Sequence, residues 1–236
     1  MNPTDSRTEE SLRRSGAEAP LPNRPANPPN SKRSIFIEID SKNQCSVVPA
    51  DKSCIINAMK YPSVFHLIST EFQKAKIPCI LIGGFAVNYY KVGRQTGDVD
   101  FLIRDEDFKK ASELLVKAGY KITASEKMFA RFGNNQSGLM DIDLMFVDPE
   151  TLEGIAKEGE QTKIAGHQFT VPSLNHLIAL KLHSIKFNPN REFKDLLDIV
   201  DLIKMNKLNI KSNMFKSLCL KYGPEAIYEK ILRIKI

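Results

Sequence analysis

Asp98 and Asp100 stand two apart in the apolar stretch "DVDFLI", and Asp141 and Asp143 stand two apart in "MDIDLMF". In an extended chain, residues i and i+2 point to the same side. Each pair therefore sets two carboxylates side by side, where they repel one another and resist burial. Their neighbours Val99, Phe101, Leu102, Ile142, Leu144 and Met145 belong in interior strands, not on a solvated edge. Two carboxylates on one strand, facing a third on another, make an all-oxygen donor set for hard divalent cations such as Mg²⁺. Two such ions can activate an attacking hydroxyl and hold a leaving pyrophosphate. The competing account of Asp98 and Asp100 is a surface-facing pair on an amphipathic strand. The third carboxylate is Asp141 or Asp143, and the apolar-Asp-Leu pattern favours Asp143.

Gly83 and Gly84 follow the short apolar strand "CILI" and precede a helix expected over residues 85–91. Glycine lets a backbone approach a ligand closely, and a helix start offers free N–H groups to phosphate. The same dipeptide is also ordinary turn chemistry. Arg94 and Thr96 lie just before the aspartate pair. Arg94 reads either as a phosphate contact or as a solvated loop residue, and Arg131 in "MFARFG" is equally open.

A second signal comes from the helical spacing near the C-terminus. Leu174, Leu177, Ile178, Leu182 and Ile185 form the stripe of a helix over 173–187, and Lys181 falls in the middle of it. Lysine is rarely buried without a partner. In the next helix, expected over 192–205, Phe193, Leu196, Leu197, Ile199, Val200, Leu202 and Ile203 spread over a broad arc that Asp195 interrupts. Lys194, Asp198 and Asp201 share the polar side, with Lys194 and Asp198 spaced as a surface pair. Lys181 and Asp195 are thus either a buried ion pair joining two helices or members of a phosphate-binding site.

The elements that must carry these residues form an α+β order. "SIFIEID" alternates as a strand and pairs with "CSVVP"; a helix follows Pro62; "CILI", "DVDFLI", "MFARF" and "LMDIDLMFV" are strands. "EDFKKASELLVKAGY" is an amphipathic helix ending at Gly119, and "TKIAGHQFTV" is a hairpin. After Pro172 the pattern turns wholly helical, with a last helical stretch over 211–232 broken at Gly223-Pro224. The expected organisation is a tail without a core-forming pattern over 1–33, an α/β domain over 34–171 and a helical region over 172–236. The tail holds six of the thirteen prolines and is expected to be disordered.

The net charge of +6 is unevenly placed. Residues 181–236 carry twelve Lys/Arg against six Asp/Glu, whereas the stretch from 34 to 180 is slightly acidic. A basic helical end suits an anionic partner, or is simply a solvated lysine-rich surface. No apolar run approaches the length that spans a bilayer, and the N-terminus lacks the apolar core of a signal peptide. Cys45, Cys54, Cys79 and Cys219 show no metal-binding spacing and read as reduced thiols of a cytoplasmic protein.

Strand, Gly-Gly, thirteen residues, Asp-x-Asp and a later third aspartate together resemble the nucleotidyltransferase superfamily of DNA polymerase β type. "GGFAV…GRQTGDVDFLI" and "VPSLNHLIALKLHSIKFNPNREFKDLLDI" are similar to its small bacterial branch, which includes the AbiEii-type abortive-infection toxins. The resemblance covers about Ile80 to Ile203. It implies a mixed sheet flanked by helices, with Asp98, Asp100 and Asp143 binding two Mg²⁺. It also implies a triphosphate on Gly83 and Gly84, and Lys181 and Asp195 in the active site; Arg94 and Thr96 are nucleotide-site candidates from their place just before the aspartate pair. The implied activity moves an NMP from an NTP to an acceptor hydroxyl on RNA (a tRNA 3′ end) or on a protein, with a cognate antitoxin as partner. The rival expectation is a nucleotide- or protein-binding module of the same fold with little or no catalysis. One departure stands out: many members carry Gly-Ser where this chain has Gly83-Gly84.

Overall fold

The computed structural model describes residues 37–39, 45–47, 61–134 and 139–234. The expectation for the tail over 1–33 lies outside these residues. Two short strands, β1 (Ile37–Ile39) and β2 (Cys45–Val47), pair antiparallel and belong to a separate unit, Met1–Ala50.

The main unit, Asp51–Ile236, opens on α1 (Val64–Leu67), which runs into a π-helical turn at Ile68–Phe72. Ser63 caps it by accepting the His66 N–H. Then come β3 (Cys79–Leu81), α2 (Gly83–Tyr89), β4 (Asp98–Arg104), α3 (Phe108–Lys117), β5 (Lys121–Ser125), β6 (Phe129–Gly133) and β7 (Asp141–Val147). They are followed by α4 (Pro149–Lys157), β8 (Glu160–Ile164), β9 (His167–Val171), α5 (Leu174–Phe187), α6 (Glu192–Asn206), α7 (Asn213–Tyr222) and α8 (Ile227–Arg233). The expected break at Gly223-Pro224 falls between α7 and α8. The helix expected over 85–91 starts two residues earlier, so both glycines lie inside its first turn.

The seven main strands order as β5-β6-β7-β4-β3-β9-β8. β4 pairs with β7 and β3 with β9 in parallel, and the other neighbours are antiparallel. This is the expected mixed sheet with flanking helices. Its two faces differ in chemistry. Val99, Phe101 and Ile103 of β4, Ala130 and Phe132 of β6, and Ile142, Leu144 and Phe146 of β7 all point to one face. They belong to one continuous core with Ala111 and Leu115 of α3 and the apolar stripes of α5 and α6. Complete burial of side chains such as Phe101, Ile103 and Leu144 contributes ~1.5–3 kcal/mol each.

The opposite face is divided along the strands. Toward the C-terminal ends of β4 and β7, Leu102, Met145 and Val147 join Ile80, Ile82, Leu152, Ile155 and Leu180 in a smaller apolar cluster under α4. Toward their N-terminal ends the same face carries Asp98, Asp100, Asp141 and Asp143. The strands are interior because one face is fully apolar. The carboxylates are tolerated because the other face is left open at one end. Among the described residues no helix is long and apolar enough to cross a membrane.

Candidate active site

β4 and β7 run parallel with Asp98 opposite Asp141 and Asp100 opposite Asp143. Both aspartate pairs therefore share one face, yet only three of the four converge. One oxygen each from Asp98, Asp100 and Asp143 lie within 4.8 Å of one another. Asp141 is exposed and accepts the Asn134 N–H at 3.1 Å, at the end of the β6–β7 hairpin. Asp143 is 7% exposed. The ambiguity between these two is thereby reduced to a position: Asp143 faces the cluster and Asp141 its rim.

Asp100 leans directly over the Gly-Gly turn. Gly83 has φ +61°, and a Cβ there would lie 1.9 Å from the Asp100 Oδ2. The glycine is needed for the aspartate itself, whatever else approaches. A Cβ on Gly84 would lie 2.6 Å from the Thr96 Oγ1. The serine common at this point in the superfamily would collide with Thr96. The Thr96 hydroxyl instead donates toward the Asp98 carbonyl at 3.1 Å and the Asp98 Oδ1 at 2.9 Å, orienting that carboxylate. Gly83→Ala is expected to lower stability by at least ~2 kcal/mol, from a strained φ plus overpacking against Asp100. Urea denaturation checks this; an unchanged midpoint would show that the turn relaxes freely.

Arg131 of β6 stands in register opposite Asp143. Its guanidinium donates from Nε to Oδ1 at 2.7 Å and from Nη2 to Oδ2 at 2.5 Å, a bidentate pair. The Asp143 hydrogen bonds and charge hold Arg131 above its ordinary pKa.

Lys181 and Asp195 are both buried, as their positions on apolar stripes predict, and they do pair, at 3.2 Å. The pair is part of something larger. Lys181 also donates to the Asp198 Oδ2 at 2.6 Å, Arg191 to the Asp195 Oδ2 at 3.0 Å, and Arg94 to both Asp198 oxygens at 3.2 and 3.0 Å. Asp198 is not the surface partner of Lys194 that its helical spacing suggests. It is 4% exposed and joins the loop before β4 to α5. The reason is non-local: Asp195 and Asp198, three apart on α6, turn together toward cations supplied by other elements. Conversely Phe193, expected within the apolar arc, is 87% exposed, and Leu197 is exposed too. Arg94 is held by Asn88, which accepts its N–H at 2.9 Å and donates to its carbonyl at 2.8 Å. Its Nε is buried with no hydrogen-bond partner.

Beside the cluster lies a cleft of about 370 Å³ whose walls include Arg94, Thr96, Asp98, Arg131, Asp141 and Lys194. It touches the carboxylates at Asp98 and presents three cationic side chains. A compact, hard, all-oxygen donor set next to a cationic cleft is compatible with a divalent cation and an anionic ligand.

A family model described as "Uncharacterised nucleotidyltransferase" matches residues 52–235. The chain belongs to this nucleotidyltransferase family. The match is to the broader family, and the AbiEii-type likeness is carried by the motifs alone. Among solved structures, this nucleotidyltransferase resembles the antibiotic-resistance factor ANT(2'')-Ia at 14% identity, over 71% of this chain and 92% of that one, with a TM-score of 0.50. An antigenic nucleotidyltransferase-like protein from Paracoccidioides brasiliensis aligns at 16% identity, over 78% and 93% of the two chains, with a TM-score of 0.43. At such identities the likeness is one of fold, and the first of the two carries it. No curated protein matches the sequence.

Like charges crowd the carboxylate cluster of this nucleotidyltransferase. Burial, and then the charges of Asp98 and Asp143, push the Asp100 carboxyl up to about 6, with Lys181 and Arg191 working in the opposite direction. Burial also opposes ionisation of Asp195, but Lys181 and Arg191 outweigh it and hold that carboxyl below its ordinary value. Arg191, Asp198 and Lys194 were not singled out by sequence reasoning as site residues. A weak signal for Asp198 is its spacing, three residues and about one helical turn from Asp195.

Proposed function

We propose that this protein is a divalent-metal-dependent nucleotidyltransferase that moves an NMP from an NTP to an acceptor hydroxyl. The observation that carries the reading is the convergence of Asp98, Asp100 and Asp143 from two parallel strands, on a face kept open at one end. These three carboxylates would hold one or two Mg²⁺. When bound, the ions supply charge neutralisation at the triphosphate and acidify the acceptor hydroxyl.

The chain's own residues do the rest by positioning. Thr96 orients Asp98. Gly83 makes room for Asp100, and the backbone of Gly83 and Gly84 lies alongside the triphosphate. Arg94, whose side chain lines the cleft, would present its guanidinium to phosphate there. Arg94, Lys181 and Arg191 outnumber Asp195 and Asp198, leaving one net positive charge to meet the nucleotide. Asp143 favours loss of the acceptor's proton, which passes to solvent water. The acceptor oxygen bonds to the α-phosphorus, the bond from that phosphorus to the bridging oxygen breaks, and pyrophosphate leaves with the electron pair.

The basic helical end, with twelve Lys/Arg against six Asp/Glu over residues 181–236, favours an RNA 3′ end as acceptor over a protein side chain. A toxin-like role with a cognate antitoxin, and a cytoplasmic location, rest on the motif resemblance and composition. The test is incubation with each labelled NTP, Mg²⁺ and total RNA or lysate, using Asp100→Asn as control. A labelled product that ribonuclease destroys, and that the variant does not form, is expected. Label destroyed only by protease would shift the acceptor to protein. No labelled product with any NTP would leave a nucleotide-binding module without transfer.

A further inference from the structure

Asp143 is the most buried of the three clustered carboxylates, yet both of its oxygens are already taken by Arg131. We propose that Arg131 is a resident counter-ion, which occupies Asp143 until a divalent cation and nucleotide displace it into the cleft. This rests on the reading of Asp98, Asp100 and Asp143 as a cation site. It adds that binding of the cation is held back by a side chain of the protein itself, and that the nucleotide relieves the restraint.

Four observations lead there. Arg131 and Asp143 are directly opposed across an antiparallel pair, so their side chains leave the same face a short distance apart. The contact is bidentate, the strongest form of this pair, and its charge sits where a dication sharing Asp143 would be repelled. Among the described residues, Arg131 is the cation hydrogen-bonded to a member of the cluster; Lys181, Arg94 and Arg191 are bonded to Asp195 and Asp198 instead. Finally, Arg131 has somewhere to go. Its side chain is 45% exposed, and it already lines the cleft beside Arg94 and Lys194. That position suits the anionic groups of a nucleotide. The side chain therefore has two partners of the same sign, Asp143 in the free protein and phosphate in the loaded one.

Divalent cation and nucleotide should then bind with positive coupling, because each favours the same displacement of Arg131. The probe is Mn²⁺, followed through its free-ion EPR signal in titrations of the full chain. The proteins compared are wild type, Arg131→Met, Asp143→Asn and the double variant, with and without a non-hydrolysable NTP. Without nucleotide, Arg131→Met is expected to bind Mn²⁺ on the order of tenfold more tightly than wild type, as loss of one charge-assisted pair implies. Its affinity should also respond less to the NTP. In the Asp143→Asn background, removing Arg131 should change Mn²⁺ affinity little, because the contact it breaks is already gone. Arg131→Gln is the second variant should the methionine disturb folding, and is expected to act in the same direction.

Equal Mn²⁺ affinity in wild type and Arg131→Met would overturn the proposal. So would an equal gain on removing Arg131 in the Asp143→Asn background, which would reduce Arg131 to a distant charge. Failure of every protein, wild type included, to bind Mn²⁺ even with nucleotide would instead sink the cation-site reading beneath it.

Discussion

Asp100→Asn is expected to abolish nucleotidyl transfer while making the metal-free protein more stable. The loss of transfer should be on the order of a thousandfold or more, because the group removed would hold the charge that neutralises the triphosphate. The gain in stability has a definite sign and pH window. The Asp100 carboxyl titrates at about 6 in the fold against an ordinary 3.8, chiefly because of burial and then of Asp98 and Asp143. The folded protein therefore holds this proton more tightly than the unfolded chain. Below 3.8 the group is neutral in both states and costs nothing. As pH rises through the window, stability is lost, and the loss is complete above about 6. Asparagine stays neutral throughout, so the variant should gain ~2–3 kcal/mol near neutral pH and almost nothing in acid. Urea denaturation in the presence of a chelator, at neutral pH and below pH 4, measures both limits. Added Mg²⁺ should raise the wild-type melting temperature and leave the variant's unchanged. A variant no more stable than wild type at neutral pH would mean that the three carboxylates are better solvated, or better compensated by Arg131, than their burial implies.

Within the buried network, Asp198→Ala is expected to be far more damaging than Lys181→Met. Asp198 accepts from both Lys181 and Arg94. Its removal strips Arg94 of its carboxylate and leaves Lys181 sharing Asp195 with Arg191, and breaking a buried charge network in this way costs ~3–5 kcal/mol. Removing Lys181 leaves each aspartate with an arginine, Asp195 with Arg191 and Asp198 with Arg94. That variant should lose only ~1–2 kcal/mol, within the range of ordinary substitutions. It should therefore remain folded and report on the nucleotide. If Lys181 meets the triphosphate as proposed, Lys181→Met should weaken NTP binding by about 10–100-fold, the worth of one charge-assisted hydrogen bond. Denaturation midpoints and isothermal titration with a non-hydrolysable NTP and Mg²⁺ check the two halves separately. Lys181→Met proving the less stable variant would contradict the charge balance. An unchanged dissociation constant in the folded variant would return Lys181 to a structural role.

Patterns confined to a single element are legible in the sequence. Alternation in "DVDFLI" and "MDIDLMF" placed each aspartate pair on one side of its strand, and β4 and β7 have those faces. The stripe containing Lys181 puts that residue on an apolar face, to be paired with Asp195 or set at a phosphate. Period two and period 3.6 are properties of a single element, so they can be read from the chain without knowing what lies beside it.

What lay beside each element was decided only in three dimensions. The apolar-Asp-Leu pattern only favours Asp143 over Asp141; the parallel register of β4 and β7 and the hairpin end that draws Asp141 outward give the two carboxylates their different positions. Asp198 looked like a surface residue because a helical wheel counts only its own helix, whereas its cations come from α5 and from the loop before β4. Arg131 was undecidable until β6 settled opposite β7 and set its guanidinium on Asp143. Gly83 offers, by its sequence context, room for a ligand, and the first atoms to use that room are those of Asp100. The local sequence determined which side chains share a face, because backbone geometry repeats along one segment. Tertiary structure alone determined which charges meet, because burial makes each carboxylate depend on a partner brought from elsewhere in the chain.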